Sequence, residues 1–295
     1  MNPLLITPAA WVRRHFRRSA PSPLLGRTVL VTGASSGIGE ATARLVAERG
    51  GVPVLVARRD AELRRVLRQI ETADGTAHAY ACDLTDGAAL DALVARLGTE
   101  LGGVDMLVNN AGRSIRRSIA LSYDRIHDYE RTMAINYFAP VRLMLGLLPH
   151  MVEQRFGHVV NVLTWGVSVQ APKFSAYIAS KTALDVWSRI AGRELYGDGV
   201  TFTNVRMPLV RTPMIGPTRA YDRVPALSPE RAAARVVRAL EDRPLTVGTV
   251  AGAVGGAFTV LAPRLSDAVH WAVASRVPDS PAAVGDAPEA ERHRA

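Results

Sequence analysis

Short apolar runs alternate with amphipathic helical patterns along most of this 295-residue chain. The runs have the length of strands, and the segments between them carry apolar residues at helical spacing. Strands interleaved with helices require right-handed crossovers, which give a parallel sheet covered by helices on both faces. We therefore predict a single α/β domain with a doubly wound parallel sheet. The predicted strands are 28–33, 52–57, 77–83, 105–112, 158–163 and 200–207, and the first three predicted helices are 38–50, 60–73 and 88–101.

The predicted domain occupies residues 25–250. A basic N-terminal extension, residues 1–24, precedes it, and a helical C-terminal extension, residues 251–277, follows it. We expect the last segment, residues 278–295, to be a disordered tail because proline, alanine and charged residues dominate it.

The chain carries a net charge of +9. An excess of this size suits nucleic acid, an anionic membrane or an acidic ligand. We find no nucleic-acid-binding motif and no basic strand studded with aromatic residues, so no nucleic-acid partner is expected. Cys82 is the only cysteine, which excludes an internal disulfide, and no signal peptide is recognisable. These features predict a cytoplasmic protein.

A glycine-rich segment, TGASSGIG, joins the first predicted strand to the first predicted helix. Its glycines let the backbone turn sharply and approach a ligand, and the free N–H groups of the following helix suit a pyrophosphate. A glycine cluster at this place in a βαβ unit is typical of Rossmann-type dinucleotide sites. The predicted cofactor contacts in this segment are Thr32, Gly33, Ser35, Ser36, Gly37, Ile38 and Gly39.

Two arginines, Arg58 and Arg59, stand at the end of the second predicted strand. An acidic residue there would bind the ribose 2′-hydroxyl of NAD, whereas a guanidinium suits a 2′-phosphate, so the sequence predicts NADP(H). The alternative is that both arginines solvate the start of a helix. Asp83 closes the third strand, where its carboxylate would accept a hydrogen bond from the adenine amino group. Further cofactor contacts are expected at Leu84, Asn110, Ala111 and Gly112.

Tyr177 and Lys181 lie in the segment FSAYIASK, residues 174–181. Of the 36 basic residues in the chain, only Lys173 and Lys181 are lysines. Residues at i and i+4 share one face of a helix, and a nearby ammonium lowers the pKa of a phenol. Lysine supplies that charge as a compact point with rotatable donors, a task that the planar arginine fork fits less well. The alternative is an ordinary exposed helix pair, and Lys173 has no evident role.

Two more polar residues complete a recognisable pattern: Thr164 just past the fifth predicted strand, and Asn136 in the helical segment before it. Together with TGASSGIG, NNAG and Y-x-x-x-K, they occur in the order and spacing of the short-chain dehydrogenase/reductase family, which roughly residues 25–250 resemble. The resemblance implies a Rossmann-type fold, a nicotinamide cofactor that Tyr177 and Lys181 also contact, and a catalytic tetrad. Matched residue by residue, the tetrad is Asn136, Thr164, Tyr177 and Lys181.

The resemblance also implies a mechanism, hydride transfer from the nicotinamide to a carbonyl carbon. Tyr177 would supply the proton as general acid, and Thr164 would polarise the carbonyl. Lys181 would tune the phenol and bind ribose, and Asn136 would hold a water that relays protons. The family usually has serine where Thr164 stands; threonine keeps the hydroxyl but adds a methyl group that crowds the pocket.

Three segments, 109–140, 171–189 and 207–218, are similar to bacterial fatty acyl-CoA reductases of this superfamily. The last segment contains Val210 and Thr212, placed like the family's contacts to the cofactor carboxamide. This similarity implies the reduction of long-chain acyl-CoA to aldehyde with NADPH, and hence a hydrophobic substrate.

A basic cluster, Arg113, Arg116 and Arg117, would then contact the phosphates of CoA, or else form a solvated loop. Two other functions stay open. A carbonyl reductase that acts on a hydrophobic ketone or aldehyde would use the same catalytic residues. A membrane-surface or scaffold protein that kept the fold but lost turnover through Thr164 is the alternative outside enzymes.

Two segments bear on membrane contact. Residues 11–19, WVRRHFRRS, would either lie on an anionic bilayer or form a disordered basic tail. Residues 245–263 carry no charge, but glycine and threonine dilute their hydrophobicity, so we predict a strand and a tightly packed helix rather than a membrane span. The family resemblance further implies a homo-oligomer formed through long helices such as 122–152 and 176–195.

Overall fold

The computed structural model describes residues 21–215, 224–279 and 281–284. Within these residues, seven parallel strands form one sheet in the order β3-β2-β1-β4-β5-β6-β7. The predicted doubly wound α/β fold is therefore confirmed. The strands are β1 Thr28–Thr32, β2 Val52–Ala57, β3 His78–Ala81, β4 Met106–Asn109, β5 Gly157–Thr164, β6 Val200–Met207 and β7 Thr246–Val247.

Helices connect the strands. One turn of π-helix, Ala134–Phe138, divides the segment for which the sequence predicted a single long helix. The helices are α1 Gly37–Glu48, α2 Asp60–Thr72, α3 Gly87–Leu101, α4 Ile126–Met133, α5 Ala139–Glu153, α6 Gly166–Val169, α7 Ser175–Glu194, α8 Pro229–Asp242, α9 Val250–Leu261, α10 Pro263–Ala274 and α11 Pro281–Val284.

Each face of the sheet has its own hydrophobic core. In β1, Val29 and Val31 belong to the core that α1, α2 and α8 cover, whereas Leu30 belongs to the core that α3, α5 and α7 cover. Successive strand residues point to opposite faces, so a strand buried on both faces needs a continuous apolar run. This is why β1 and β4 each contain an unbroken apolar run, residues 29–31 and 106–108.

The sheet changes its direction of growth between β1 and β4. From β1 the chain adds β2 and β3 on one side, and from β4 it adds β5, β6 and β7 on the other. The loops that follow β1 and β4 therefore diverge to opposite faces and leave a crevice at their carboxyl ends, the usual ligand site of such sheets.

The uncharged segment 245–263 forms the short strand β7 and then α9, as predicted. Three glycines of α9 let it pack closely on α6. A Cβ on Gly252 would lie 3.5 Å from Cβ of Trp165, and one on Gly256 would lie 3.1 Å from Cβ of Ser168. Gly255 in turn faces Val169. Among the described residues, no helix has both the length and the apolar character needed to cross a membrane.

The expectation of a disordered tail from residue 278 is wrong for its first part. Among the described residues of this segment, 278–279 and 281–284, Asp279 and Ala283 are buried against the domain because both make specific contacts there. At the other end, Leu24 is fully buried in the core, so the domain begins at or before this residue. The basic segment 11–19 and residues 285–295 lie outside the described residues.

Candidate active site

The loop after β1 brings backbone, rather than side chains, to the crevice. Gly33 has φ +66°, a conformation that favours glycine, and a Cβ there would lie 2.9 Å from Nδ2 of Asn110. A Cβ on Gly39, in the first turn of α1, would overlap the carbonyl oxygen of Gly33. Ser36 precedes α1 in an extended conformation, and its side chain makes no capping bond. The Ser36 side chain therefore leaves the first N–H groups of α1 available to a ligand.

Thr32 and Asn110 bind the ends of β1 and β4 to each other. The Thr32 hydroxyl accepts hydrogen bonds from the backbone N–H of Asn110 at 2.9 Å and of Ala111 at 3.0 Å, and donates to Val108 O at 3.2 Å. Nδ2 of Asn110 donates to Thr32 O at 2.9 Å. A hydroxyl has one proton and two lone pairs, so the Thr32 side chain has no capacity left for a cofactor. Its role is to hold the Asn110–Gly112 loop in place.

Arg58 and Arg59 are both exposed just past β2. Neither guanidinium forms an ion pair with an acidic residue of the described chain, whereas their neighbours do: Arg64 pairs with Asp60 at 2.6 Å and Arg65 with Glu40 at 2.7 Å. Arg59 reaches back across the glycine loop, with Nη2 3.5 Å from Oγ of Ser35. The end of β2 therefore offers two cations to an anionic group.

The residues after β3 lie beside this end of the sheet. Hydrogen bonds from the backbone N–H and the hydroxyl of Thr85 lower the pKa of Asp83, and the charge of Arg58 acts in the same direction. Both Thr85 bonds go to Oδ1, which leaves Oδ2 for a further donor. Leu84 is buried beneath, and burial raises the pKa of the Cys82 thiol, which fits an inert core cysteine.

Tyr177 and Lys181 lie one turn apart near the start of α7. Tyr177 is half-buried, and its ring meets that of Phe174 edge-on at 6.4 Å. Lys181 is almost wholly buried, and its Nζ donates to the carbonyl oxygen of Val162 in β5 at 3.0 Å. Burial lowers the pKa of Lys181 to about 8. The buried ammonium excludes the alternative of an ordinary exposed helix pair.

Thr164 ends β5 with its hydroxyl beside the crevice. Its Oγ1 accepts a hydrogen bond from the N–H of Gly166 at 3.1 Å, which leaves the hydroxyl proton available for a ligand. The extra methyl group packs toward the space above Gly166: a Cβ there would lie 3.4 Å from Cγ2 of Thr164 and 3.0 Å from Cδ1 of Ile178. The methyl therefore packs against protein atoms beside Gly166, where the local structure accommodates threonine in place of serine.

Asn136 lies in the π-helical turn and is fully buried. Its Oδ1 accepts from the N–H of Arg113 at 2.9 Å, and its Nδ2 donates to Arg113 O at 2.8 Å and to Oγ of Ser180 at 2.9 Å. A Cβ on Gly112 would lie 2.9 Å from Asn136 Oδ1 and 3.3 Å from Lys181 Nζ. Asn136 thus joins the Gly112 loop to the helix of Tyr177 and Lys181, and a water relay through it stays a prediction.

Val210 and Thr212 lie in the loop after β6. Val210 is buried and forms an isolated bridge with Leu227, which closes the loop on itself. Cγ2 of Thr212 lies 3.1 Å from the position of a Cβ on Gly37, so the loop touches the glycine-rich turn. Both residues stand at the crevice, and residues 216–223 between them and Leu227 lie outside the described residues.

The basic cluster that the sequence offered for CoA phosphates is divided by the structure. Arg117 is buried: its Nε lies 3.3 Å from Oδ2 of Asp128, and its Nη1 donates to Ala283 O at 2.6 Å. The prediction that it contacts CoA is therefore wrong, because the protein already binds its guanidinium. Arg113 is exposed and Arg116 half-buried, and neither pairs with an acidic residue within the described chain.

Sequence reasoning missed a buried amide chain beneath the site. Asn109 donates to Asn161 at 2.9 Å, Asn161 to Asn204 at 3.0 Å, and Asn204 to Oδ1 of Asp185 at 2.9 Å. These bonds cross β4, β5 and β6 and end on α7, one turn after Lys181. The signal was present, since each of these three apolar strands contains one asparagine. This series of hydrogen bonds fixes the position of α7 relative to the sheet.

The chain is similar to known proteins in both sequence and fold. The family profile of the short chain dehydrogenases matches residues 27–222. A fatty acyl-CoA reductase of Acinetobacter baylyi is 44% identical over 261 residues, which cover 88% of each chain. A fatty acyl-CoA reductase of Mycobacterium tuberculosis is 47% identical over 250 residues, 84% of this chain and 85% of that protein.

Solved structures of short-chain reductases have a similar fold. A 3-oxoacyl (acyl-carrier-protein) reductase of Agrobacterium tumefaciens with bound NADP matches with a TM-score of 0.71 and 27% identity, over 79% of this chain and 97% of the other. A metagenomic short-chain oxidoreductase in complex with NADP matches with a TM-score of 0.64 and 31% identity, over 74% of this chain and 92% of the other.

Proposed function

The chain belongs to the short chain dehydrogenase family of oxidoreductases, and on this basis we propose that it reduces long-chain fatty acyl-CoA to the aldehyde with NADPH. The observation that carries the substrate proposal is the similarity to two fatty acyl-CoA reductases across more than four-fifths of each chain. Fold alone would not support it, because one fold hosts many functions. The local chemistry of the crevice fits this reaction.

The crevice fits a phosphorylated dinucleotide. The close approach of Gly39 to Gly33 and the uncapped start of α1 provide a backbone cradle for a pyrophosphate. Arg58 and Arg59 would hold a 2′-phosphate, since neither forms an ion pair with a carboxylate of the described chain. Lys181 would bind ribose hydroxyls, and Val210 and Thr212 would lie at the nicotinamide end. When bound, the cofactor supplies a hydride to the carbonyl carbon.

The side chains of the site would protonate the thioester oxygen and stabilise the negative charge that develops on it. Thr164 donates a hydrogen bond to the thioester oxygen. Tyr177 transfers its proton to that oxygen as the new C–H bond forms at the carbonyl carbon. The tetrahedral adduct then returns the proton and collapses to the aldehyde with loss of the CoA thiolate, which is protonated by solvent. One acyl-CoA, one NADPH and one proton thus give one aldehyde, one CoA thiol and one NADP⁺.

Two arginines at the mouth of the site suit the CoA portion. Arg113 immediately follows Gly112, and Arg116 lies three residues further along the same loop. With Arg117 bound to Asp128, these two are the cations of the cluster that remain for phosphate oxygens.

A homo-oligomer is also part of the proposal. Phe138, directly before α5, and Leu145, within it, are 61% and 58% exposed. Val186 and Ile190 of α7 are 50% and 49% exposed. Exposed apolar side chains on two helices provide surface that a second copy would cover. Light scattering at several concentrations tests this, and a strictly monomeric protein would contradict it.

A substrate panel tests the function. Purified protein is incubated with NADPH and hexadecanoyl-CoA, hexadecanal or a long-chain ketone, and both NADPH oxidation and free thiol are measured. The proposal predicts oxidation with hexadecanoyl-CoA and one thiol released per NADPH consumed. Oxidation with the ketone and none with the thioester would instead identify a carbonyl reductase. Absence of NADPH binding would identify a protein without turnover.

A further inference from the structure

A second cavity lies next to the crevice, on the side covered by the C-terminal helices. It has a volume of about 960 Å³ and is open to solvent on one side. The start of α7, the loop 170–173, the turn Ile119–Leu121 and the end of α10 line it. Small-molecule sites have volumes of roughly 300–1,000 Å³, so the space is large enough for a substrate-sized group.

The walls of this cavity are mainly hydrocarbon. Ile119, Leu121, Pro172, Ile178, Trp271 and Ala274 contribute apolar side chains. Its two ionic residues, Lys173 and Asp279, pair with each other at 3.2 Å, so they offer no net charge to a ligand. A site of this kind suits a flexible apolar chain and disfavours a charged or strongly polar group.

The cavity adjoins the reacting groups without including them. Ile178, which lines it, directly follows Tyr177 in α7. The tip of Ile178 and the methyl group of Thr164 converge on the same point above Gly166, at 3.0 Å and 3.4 Å from the position of a Cβ there. A thioester carbonyl held by Tyr177 and Thr164 would therefore have the cavity within reach of its hydrocarbon side.

The segment that follows α10 is hydrogen-bonded to two loops that line the cavity, one at Lys173 and one at Ser118. Nζ of Lys173 donates to Val277 O at 2.7 Å as well as to Asp279. Oδ1 of Asp279 accepts from the N–H of Ser118 at 3.0 Å. We call these contacts of Lys173, Asp279, Val277 and Ser118 the C-terminal latch. Because the latch holds the residues that follow α10, it keeps Trp271 and Ala274 facing the cavity.

We propose that this cavity receives the hydrocarbon tail of the acyl-CoA and that α10 sets the preferred chain length. The inference rests on the proposed function, whose thioester substrate has one long apolar arm. Burying each additional methylene favours binding by about fourfold. A cavity wall that limits how many methylenes fit therefore selects among chain lengths.

The test narrows the cavity from α10. Ala274→Phe adds a ring inside it, and Val273→Phe adds the same ring on the neighbouring exposed position, which does not line the cavity. The ratio of kcat/KM for hexadecanoyl-CoA to that for octanoyl-CoA should fall about tenfold or more in Ala274→Phe and stay unchanged in Val273→Phe. Ser275→Phe, at an exposed lining position, serves if Ala274→Phe does not fold. An equal loss for both chain lengths would overturn the proposal.

A binding measurement separates this inference from the function itself. The fluorescent fatty acid 11-(dansylamino)undecanoic acid is titrated into wild type and both variants, and is displaced with hexadecan-1-ol. Binding that is weakened about tenfold in Ala274→Phe, but not in Val273→Phe, supports the cavity even if no acyl-CoA is reduced. If wild type binds no probe, or if the two variants bind it equally, the inference fails even where acyl-CoA is turned over.

Discussion

Nζ of Lys173 lies 3.2 Å from Oδ2 of Asp279, 106 residues further along the chain. Their side chains are only 15% and 2% exposed. The lysine that had no evident role in the sequence therefore fastens the C-terminal segment to the loop before Tyr177. It has φ +68°, so the loop is held in a conformation that few non-glycine residues adopt.

Asp279→Asn tests this latch. Removing one charge from a buried pair leaves the other uncompensated and costs about 3 kcal/mol, here mainly in the attachment of residues 277–284. We expect trypsin to cleave after Arg276 faster in this variant than in wild type. Asp267→Asn, an exposed carboxylate on α10, is the control and should be cleaved like wild type. Equal cleavage rates in all three proteins would show that the Lys173–Asp279 pair does not attach the C-terminal segment to the domain.

Thr164 should tolerate one substitution and not another. Thr164→Ser keeps the hydroxyl that Gly166 N–H orients, so kcat should stay within about threefold of wild type. Thr164→Val keeps the shape and loses the proton donor, so kcat should fall about 10²- to 10³-fold. Steady-state kinetics with the same acyl-CoA give both values. A valine variant as active as the serine variant would remove Thr164 from the mechanism.

Lys181→Met should separate stability from activity. Burial lowers the pKa of Lys181 from 10.5 to about 8, so between these pH values the unfolded chain binds a proton that the folded protein does not. Wild-type stability should therefore rise as pH increases from about 8 to 10, and below this range the buried charge is a constant cost.

The methionine variant removes that cost and loses the charge-assisted bond to Val162 O, worth about 1.5–3 kcal/mol. Urea unfolding at pH 7 should show a stability equal to or above wild type, the rise toward pH 10 should be absent, and kcat should fall about 10²-fold or more. A strongly destabilised variant at pH 7 would show that Lys181 is a structural cation.

Arg58→Ala tests the cofactor preference. Loss of a charge-assisted hydrogen bond costs about 1.5–3 kcal/mol, so Kd for NADPH should rise roughly 10- to 100-fold while Kd for NADH changes little. Arg64→Ala removes a nearby arginine that pairs with Asp60, and it should alter neither constant. If Arg58→Ala weakens both nucleotides equally, the 2′-phosphate assignment fails.

Much of the fold was predictable because apolar strand-length runs alternate with amphipathic helical segments along the chain. The bounds of β2 and β6 agree with the predicted runs to the residue. β2 is an almost wholly apolar run, and in β6 apolar and β-branched residues predominate, a composition typical of strands. The interruption of the helix at Ala134–Phe138 was not predictable, because a π-helical turn leaves no local signature in composition.

The site was predictable in its residue types but less in their partners. Tyr177 and Lys181 were selected from their spacing and from the choice of lysine, and their catalytic role stays a prediction. The saturation of Thr32, the ion pair that removes Arg117 from the ligand side, and the latch of Lys173 each join residues more than ten positions apart. Such contacts depend on how elements pack, and no single-sequence pattern encodes them.

The central claim is that the Tyr177 hydroxyl delivers the proton in an NADPH-linked reduction, and Tyr177→Phe measures it most directly. Hexadecanoyl-CoA-dependent NADPH oxidation is compared with wild type, and Kd for NADPH is determined in parallel. We predict that kcat falls about 10²- to 10⁴-fold while nucleotide affinity stays within about threefold. A phenylalanine variant that turns over at the wild-type rate would contradict the account.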